Sequence, residues 1–272
     1  MAVVILTGAT RGIGQAAAVQ LASQGVDVGL VGRDALRVSA AASQARATGG
    51  GAAVHEHVAD LTLMAEVRAL ADELRESYEH IDVLANNAGA VFASRKETSE
   101  GLERTFALNH LAPFLLTNLL RDRLAGGQVV TTASDAHKGG LLDLDDLQSK
   151  NSYSPMRVYG TSKLCNILFT RELAKRAPEL RANCFHPGVV RTGFGKNENG
   201  ILRVLTTIGG PFLRSPQRGA RSLVWLALSP DAAALDGAYV YDEKVAQPDA
   251  QAQDDTLAAG LWEHSAQLVG RS

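Results

Sequence analysis

A chain of 272 residues with 46% hydrophobic side chains can bury a large core, and we expect one α/β domain over residues 1–272. The formal net charge is −2, and no basic block is long enough to follow a phosphate backbone, which argues against nucleic acid as a partner. The two cysteines, Cys165 and Cys184, fall in helix-like and strand-like segments. This pattern favours the reducing cytoplasm over a disulfide-bonded secreted protein.

Apolar strand-like runs alternate with helical patterns from residue 2 to about Pro230. The first run is too short for a signal peptide or a membrane span, so no membrane anchor is predicted. The alternation predicts a mainly parallel sheet with helices on both faces. Seven strands are expected, at residues 2–6, 26–31, 52–58, 81–85, 128–132, 181–185 and 238–241.

A glycine-rich turn, Thr-Gly-Ala-Thr-Arg-Gly-Ile-Gly from Thr7 to Gly14, directly follows the first predicted strand and precedes a helical pattern. Glycines let the backbone turn sharply and approach a pyrophosphate, while the free N–H groups of a helix start attract the anion. Such a turn alone would also fit a tight connection in an unrelated α/β protein. In this context it favours a Rossmann-type dinucleotide site, held by Gly8, Thr10, Arg11, Gly12, Ile13 and Gly14.

The end of the second predicted strand bears on the choice between NADP and NAD. Gly32 occupies the position where an acidic residue would accept the ribose hydroxyls of NAD. Arg33 follows it and Arg11 lies in the glycine turn, so two guanidinium groups could meet a 2′-phosphate. The competing interpretation is two solvated arginines beside the Asp34 carboxylate. We predict NADP(H) in preference to NAD(H).

Tyr159 and Lys163 lie one turn apart in the helical pattern of residues 155–176, so they share a face. A phenol with a pKa of about 10 is a poor acid or base at neutral pH, but a neighbouring ammonium favours its ionised form. A Tyr-x-x-x-Lys pair is common by chance. The pair indicates a catalytic site only in combination with other motifs of the chain.

The order of several motifs makes this sequence resemble the short-chain dehydrogenases/reductases. The family's pattern is matched by the glycine turn, Asp60 in Val-Ala-Asp-Leu, Asn86-Asn87-Ala88-Gly89, Asn109, Ser134, Tyr159 with Lys163, and Pro187-Gly188 with Thr192. The polar insertion at residues 141–152 and the ending Leu261-Trp262-Glu263 look like the retinol-dehydrogenase and WW-domain-oxidoreductase-like branch.

The resemblance implies roles for individual residues. Tyr159 would be the general acid/base, Lys163 would lower its pKa and hold the nicotinamide ribose, and Ser134 would bind the substrate oxygen. Asn109 would bend its helix and hold a water in a proton relay to Lys163. The catalytic set is therefore Asn109, Ser134, Tyr159 and Lys163. Besides Tyr159, Lys163, Arg33 and the turn residues, the implied cofactor-binding residues are Asp60, Leu61, Asn87, Ala88, Gly89, Pro187, Gly188, Val190 and Thr192.

The implied activity is hydride transfer between the nicotinamide and an apolar carbonyl or alcohol substrate. A carbon–carbon double-bond reductase of the protochlorophyllide-reductase type and a non-catalytic NADP(H) sensor remain as alternatives. A homodimer or homotetramer is also implied. The irregular stretch at 195–216 is predicted to be a substrate lid, and no metal site is predicted. His137 either lines the pocket or satisfies a loop carbonyl.

Overall fold

The computed structural model describes residues 2–190 and 213–270. The strands are β1 (Val3–Thr7), β2 (Asp27–Gly32), β3 (Val54–Val58), β4 (Val83–Asn86), β5 (Gln128–Thr132), β6 (Arg181–His186), β7 (Tyr239–Tyr241) and β8 (Lys244–Val245). They form one sheet in the order β3-β2-β1-β4-β5-β6-β7-β8, parallel except for the last pair. The strand order reverses between β1 and β4, which leaves a crevice at their carboxyl ends.

The predicted fold class is confirmed, but the predicted count of seven strands is one too low. β8 pairs antiparallel with β7 across a tight turn, in which Asp242 and Glu243 have φ values of 49° and 61°. Positive φ at both central residues matches the twist of a two-residue hairpin. The strand has only two residues, both exposed, so it carries no apolar run that sequence patterning could detect.

Helices cover both faces of the sheet, as predicted. The helices are α1 (Gly12–Ser23), α2 (Ala35–Arg46), α3 (Met64–Ser77), α4 (Arg104–Phe106), a π-helical segment (Ala107–Leu111), α5 (Ala112–Leu119), α6 (Pro155–Arg176), α7 (Pro216–Leu228) and α8 (Asp255–Leu268). Successive residues of β1 point to opposite faces: Ile5 joins one apolar core and Leu6 the other. The Ile5 core is closed by α3, α5, α6 and α8, and the Leu6 core by α1, α2 and α7.

The insertion at residues 141–152 is anchored to the body of the protein, although its sequence is that of a surface loop. Leu142 is buried, and Leu144 packs so closely on α8 that a Cβ at Gly260 would lie 2.6 Å from its Cδ1. Arg95 donates to the Gln148 carbonyl at 3.0 Å, and the Glu103 amide donates to the Gln148 side chain at 3.0 Å. The insertion therefore joins α8 to the segment after β4.

The predicted lid lies outside the described residues, except for residues 213–216. Thr192 also lies outside them. In the part of the chain that the structure describes, no helix combines the length and the apolarity needed to cross a bilayer.

Candidate active site at the carboxyl edge of the sheet

Three predicted catalytic side chains meet beyond the end of β5. Ser134 follows this strand in an extended conformation and caps a 3-10 helix, Asp135–Gly139, by accepting from the Ala136 amide at 3.2 Å. Its hydroxyl shares a hydrogen bond with Tyr159, and the Lys163 Nζ lies 5.7 Å from the centre of the Tyr159 ring. A phenol, a hydroxyl and an ammonium are thus gathered at one edge of the sheet.

Burial dominates the electrostatics of the Tyr159 and Lys163 pair. It raises the pKa of Tyr159 to about 12, against the lowering effect of the Ser134 hydrogen bond. It lowers the pKa of Lys163 to about 8. In this geometry the phenol is protonated at neutral pH, so Tyr159 is poised to act as an acid rather than as a phenolate.

Lys163 is held by the strand end rather than by a carboxylate. Its Nζ donates to the Thr132 carbonyl at 2.8 Å, and Asn166 also donates to that oxygen, at 3.2 Å. A Cβ at Gly89 would lie 3.5 Å from the Lys163 Nζ and 3.3 Å from the Asn109 Oδ1. Gly89 therefore lies within contact distance of both Lys163 and Asn109.

Asn109 lies in the middle of the π-helical segment, an irregularity that bends helices and is frequent at functional sites. Both N–H donors of its side-chain amide are used, since Nδ2 donates to the Ala90 carbonyl and to the Ser162 hydroxyl at 3.0 and 2.9 Å, and Oδ1 accepts from the Ala90 amide at 2.9 Å. The side chain therefore has no donor left for the predicted water.

The backbone of the glycine turn can approach a ligand closely, because its glycines carry no side chain. Gly8 has a φ of 65°, and a Cβ there would lie 2.8 Å from the Ala88 Cα. Asn87 braces the turn by donating to the Thr7 carbonyl at 3.0 Å, and Thr7 Oγ1 accepts from the Asn87 and Ala88 amides at 2.9 and 3.0 Å. Among the described residues, no side chain caps the start of α1, which leaves its amides available to a pyrophosphate.

Gly14→Ala is expected to weaken NADPH binding by about tenfold or more, because a new Cβ would lie 2.3 Å from the Gly8 carbonyl and 2.6 Å from the Asn87 Nδ2. Gly139→Ala is the matched control, since a Cβ at Gly139 meets no atom within 4 Å. Fluorescence titration with NADPH measures both. Equal affinity in the two variants would mean that the turn is not the pyrophosphate site.

The predicted 2′-phosphate region contains three arginines. Burial lowers the pKa of the Arg11 guanidinium, and the nearby charges of Arg33 and Arg37 lower it further. Asp34 is occupied as the cap of α2, where it accepts from the Arg37 amide at 3.1 Å. A Cβ at Gly32 would lie 2.5 Å from the Thr10 Cγ2, so the acidic side chain typical of NAD sites does not fit there.

Asp60 and Leu61 follow β3 at the expected adenine side. The Asp60 carboxylate accepts from the Thr62 amide and hydroxyl at 3.0 and 2.8 Å, and Leu61 is buried. On the expected nicotinamide side, Val190 packs against α7, where a Cβ at Gly219 would lie 2.7 Å from Val190 and 3.2 Å from Ile13. The Val190 segment and the glycine turn therefore meet.

Arg214, which the sequence analysis included only in the predicted lid, lies against the predicted cofactor-binding segment at Gly188. Its amide donates to the Val189 carbonyl at 2.8 Å, and its side chain fills the space below Gly188, where a Cβ would lie 2.6 Å from it. The guanidinium pairs with Asp242 and donates to the Tyr241 hydroxyl at 2.7 Å. The sequence gives no signal for this, because the partners come from separate elements.

Two of the buried histidines bind polar groups of the protein itself. His137 binds a loop carbonyl, which is one of the two roles predicted for it. The Nε2 of His57 lies 2.9 Å from the Tyr78 hydroxyl. The described residues contain no cluster of three or more histidine, cysteine or acidic side chains suited to a metal ion.

Comparison with known proteins identifies a family and several similar proteins. Residues 2–200 match the short chain dehydrogenase family. A protein of Streptomyces sp. (strain C5), whose assigned name is daunorubicin C-13 ketoreductase DnrU, is 44% identical over 268 residues, covering 98% of this chain and 92% of that protein. Retinol dehydrogenase 14 of Mus musculus is 37% identical over 287 residues, covering 98% and 85%. A crystal structure of a Mycobacterium paratuberculosis protein has a TM-score of 0.81 at 32% identity, covering 100% and 94%.

Proposed function

Because this chain belongs to the short-chain dehydrogenase family, we propose that it is an NADP(H)-dependent oxidoreductase that acts on an apolar carbonyl or alcohol substrate. The observation that supports this most strongly is the hydrogen bond between Ser134 and Tyr159 beside the Lys163 ammonium. The nicotinamide, when bound, supplies or accepts the hydride. The chain's own residues handle the substrate oxygen and its proton.

In the reductive direction, Tyr159 gives its phenolic proton to the substrate oxygen as the carbonyl carbon receives the hydride. The Ser134 hydroxyl donates a hydrogen bond to the same oxygen, which stabilises the negative charge that develops there. The Lys163 ammonium stabilises the phenolate that remains, since it lies over the ring. One hydride and one proton convert the carbonyl into an alcohol.

The proposed preference for NADP(H) is supported by the concentration of positive charge at Arg11, Arg33 and Arg37. Only Arg37 has a carboxylate partner in the described part of the chain, Asp34 at 3.8 Å. Arg11 and Arg33 are therefore both available to a 2′-phosphate, and Arg33 directly follows Gly32 at the end of β2, where the adenosine ribose is expected.

Arg33→Gln is expected to raise the Kd for NADPH by about 10- to 100-fold, which corresponds to the loss of one charge-assisted hydrogen bond. The Kd for NADH should stay within about twofold, since NADH lacks the phosphate. Arg37→Gln, four residues further on and already paired, is the comparison and should change NADPH affinity by less than about threefold. Isothermal titration measures all three; an unchanged NADPH to NADH ratio in Arg33→Gln would refute the phosphate role.

The proposed reaction is tested with NADPH carrying deuterium at C4 and a panel of apolar ketones, aldehydes and quinones that includes daunorubicin and retinal. Mass spectrometry of the product should place the deuterium on the carbinol carbon. Deuterium on a former carbon–carbon double bond would favour the double-bond reductase. Tight NADPH binding without turnover of any compound would favour a sensor. Neither alternative has an observation in its favour at present.

A further inference from the structure

The peptide group that joins Ser134 to Asp135 is held at both of its polar ends by histidines. Its carbonyl, on Ser134, lies 2.7 Å from the His137 Nδ1 and also accepts from the His137 backbone amide at 3.1 Å. Its N–H, on Asp135, donates to the His186 Nδ1 at 3.2 Å. Neither histidine ring takes part in the proposed mechanism. They come from different elements, the 3-10 helix and the end of β6.

The hydrogen bonds of His137 fix its protonation pattern. The Asp249 amide donates to its Nε2 at 3.2 Å, so that nitrogen carries no proton. The Nδ1 must therefore carry the proton that it donates to the Ser134 carbonyl. The ring is buried and packs edge-on against Tyr239, with centroids 5.5 Å apart, so its orientation is fixed as well.

His186 must offer an unprotonated Nδ1, because its partner is a backbone donor. Its ring is stacked on Tyr241 with centroids 5.1 Å apart, and Arg214 holds Tyr241 in turn. Burial lowers the pKa of His186 to about 4; Arg214, His137 and Lys138 act in the same direction, while Asp135 opposes them. The acceptor is thus maintained throughout the neutral range.

The orientation of this peptide group fixes the ψ angle of Ser134, which is 151°, while the preceding peptide fixes its φ of −163°. Together these angles set the direction of the Cα–Cβ bond, from which the side-chain rotamer places the hydroxyl. A small displacement of a catalytic group is costly, because reaction requires close alignment. Ser134 has no large side chain by which packing could hold it.

We propose that His137 and His186 are positioning residues that clamp the Ser134–Asp135 peptide and thereby aim the Ser134 hydroxyl at Tyr159 and the substrate oxygen. This inference rests on the proposed function, since it gives the clamp a purpose only if Ser134 binds the substrate. Neither histidine touches the reacting atoms. Their effect passes entirely through the serine.

The test is a double-mutant cycle with daunorubicin or retinal, whichever is turned over, and NADPH. His137→Phe and His186→Phe keep a ring in place but remove the polar atoms, and each is expected to lower kcat by about tenfold with an unchanged Kd for NADPH. The same changes made together with Ser134→Ala should cause no further loss of kcat. His137→Asn can still donate to the carbonyl and His186→Asn can still accept from the amide, so both should retain more activity than the phenylalanine variants.

A second measurement does not depend on activity. Hydrogen exchange of the Asp135 amide, followed by NMR in folded protein, should accelerate at least tenfold in His186→Phe and stay slow in His186→Asn. Unchanged exchange in His186→Phe would overturn the clamp. If the histidine substitutions lowered kcat equally in the wild-type and Ser134→Ala backgrounds, the histidines would act on the fold and not through the serine. This result would overturn the clamp and leave the proposed function standing. Undiminished turnover in Ser134→Ala would overturn both the proposed role of the serine and this inference.

Discussion

Tyr159→Phe is expected to lower kcat for carbonyl reduction by about 10²- to 10⁴-fold while leaving the Kd for NADPH within about twofold. The substitution removes one oxygen atom, the proposed proton donor, and preserves the ring that Lys163 faces at 5.7 Å. Because burial raises the pKa of Tyr159 to about 12, the wild-type phenol is protonated throughout the neutral range and is ready to donate. Steady-state kinetics with NADPH and fluorescence titration of the cofactor measure the two quantities separately.

Tyr78→Phe is the matched control for this prediction. Tyr78 is buried, and burial raises its pKa to about 12, but its hydroxyl pairs with His57 of β3, a strand that β2, β1 and β4 separate from β5. Losing that hydrogen bond should reduce the free energy of unfolding by about 1 kcal/mol and leave kcat unchanged. If Tyr159→Phe kept more than a tenth of wild-type turnover, the assignment of the proton donor would be wrong.

The parts of this fold that follow from local sequence were predictable. Most of the parallel strands are buried and nearly continuous apolar runs, which is why they could be located from the sequence. β3, Val-His-Glu-His-Val, is half exposed and was located from the alternation of strands and helices around it. The glycine turn was equally visible, because Gly8 and Gly14 stand where a side chain would collide with Ala88 or Gly8. β8 was missed, since two exposed residues after a turn give no periodic signal.

The parts of the site that arise from long-range contacts were not predictable. His186 reaches the Asp135 amide across 51 positions, and Asp249 reaches His137 across 112. Nothing in the neighbourhood of either histidine in the sequence marks these partners. The pKa of Tyr159 illustrates the same limit: the spacing to Lys163 suggested a lowered value, whereas burial, a property of the whole fold, raises it.

Lys163→Met is expected to lower kcat by about 10²-fold or more without destabilising the cofactor-free protein at pH 7. The substitution is expected to change kcat but not to lower stability, because the ammonium is buried. Its pKa is about 8 in the folded protein against 10.5 when exposed, so keeping it charged in the fold costs about 3 kcal/mol below pH 8. Methionine fills similar space without that cost, and the Thr132 carbonyl keeps its bond from Asn166 at 3.2 Å.

The pH dependence of stability gives this prediction its sign. Between pH 8 and 10.5 the unfolded chain holds a proton on Lys163 that the folded chain has released, so the wild-type free energy of unfolding should rise with pH by up to about 3 kcal/mol. Lys163→Met should lack this rise. The control, Lys175→Met, removes an exposed lysine of the same helix, α6, that pairs with Asp255 of α8, and it should retain the rise. Urea unfolding at pH 7 and pH 10 measures all three proteins. A constant difference between wild type and Lys163→Met at the two pH values would show that the ammonium is not held in the fold at an energetic cost, and its proposed role beside Tyr159 would lose its electrostatic basis.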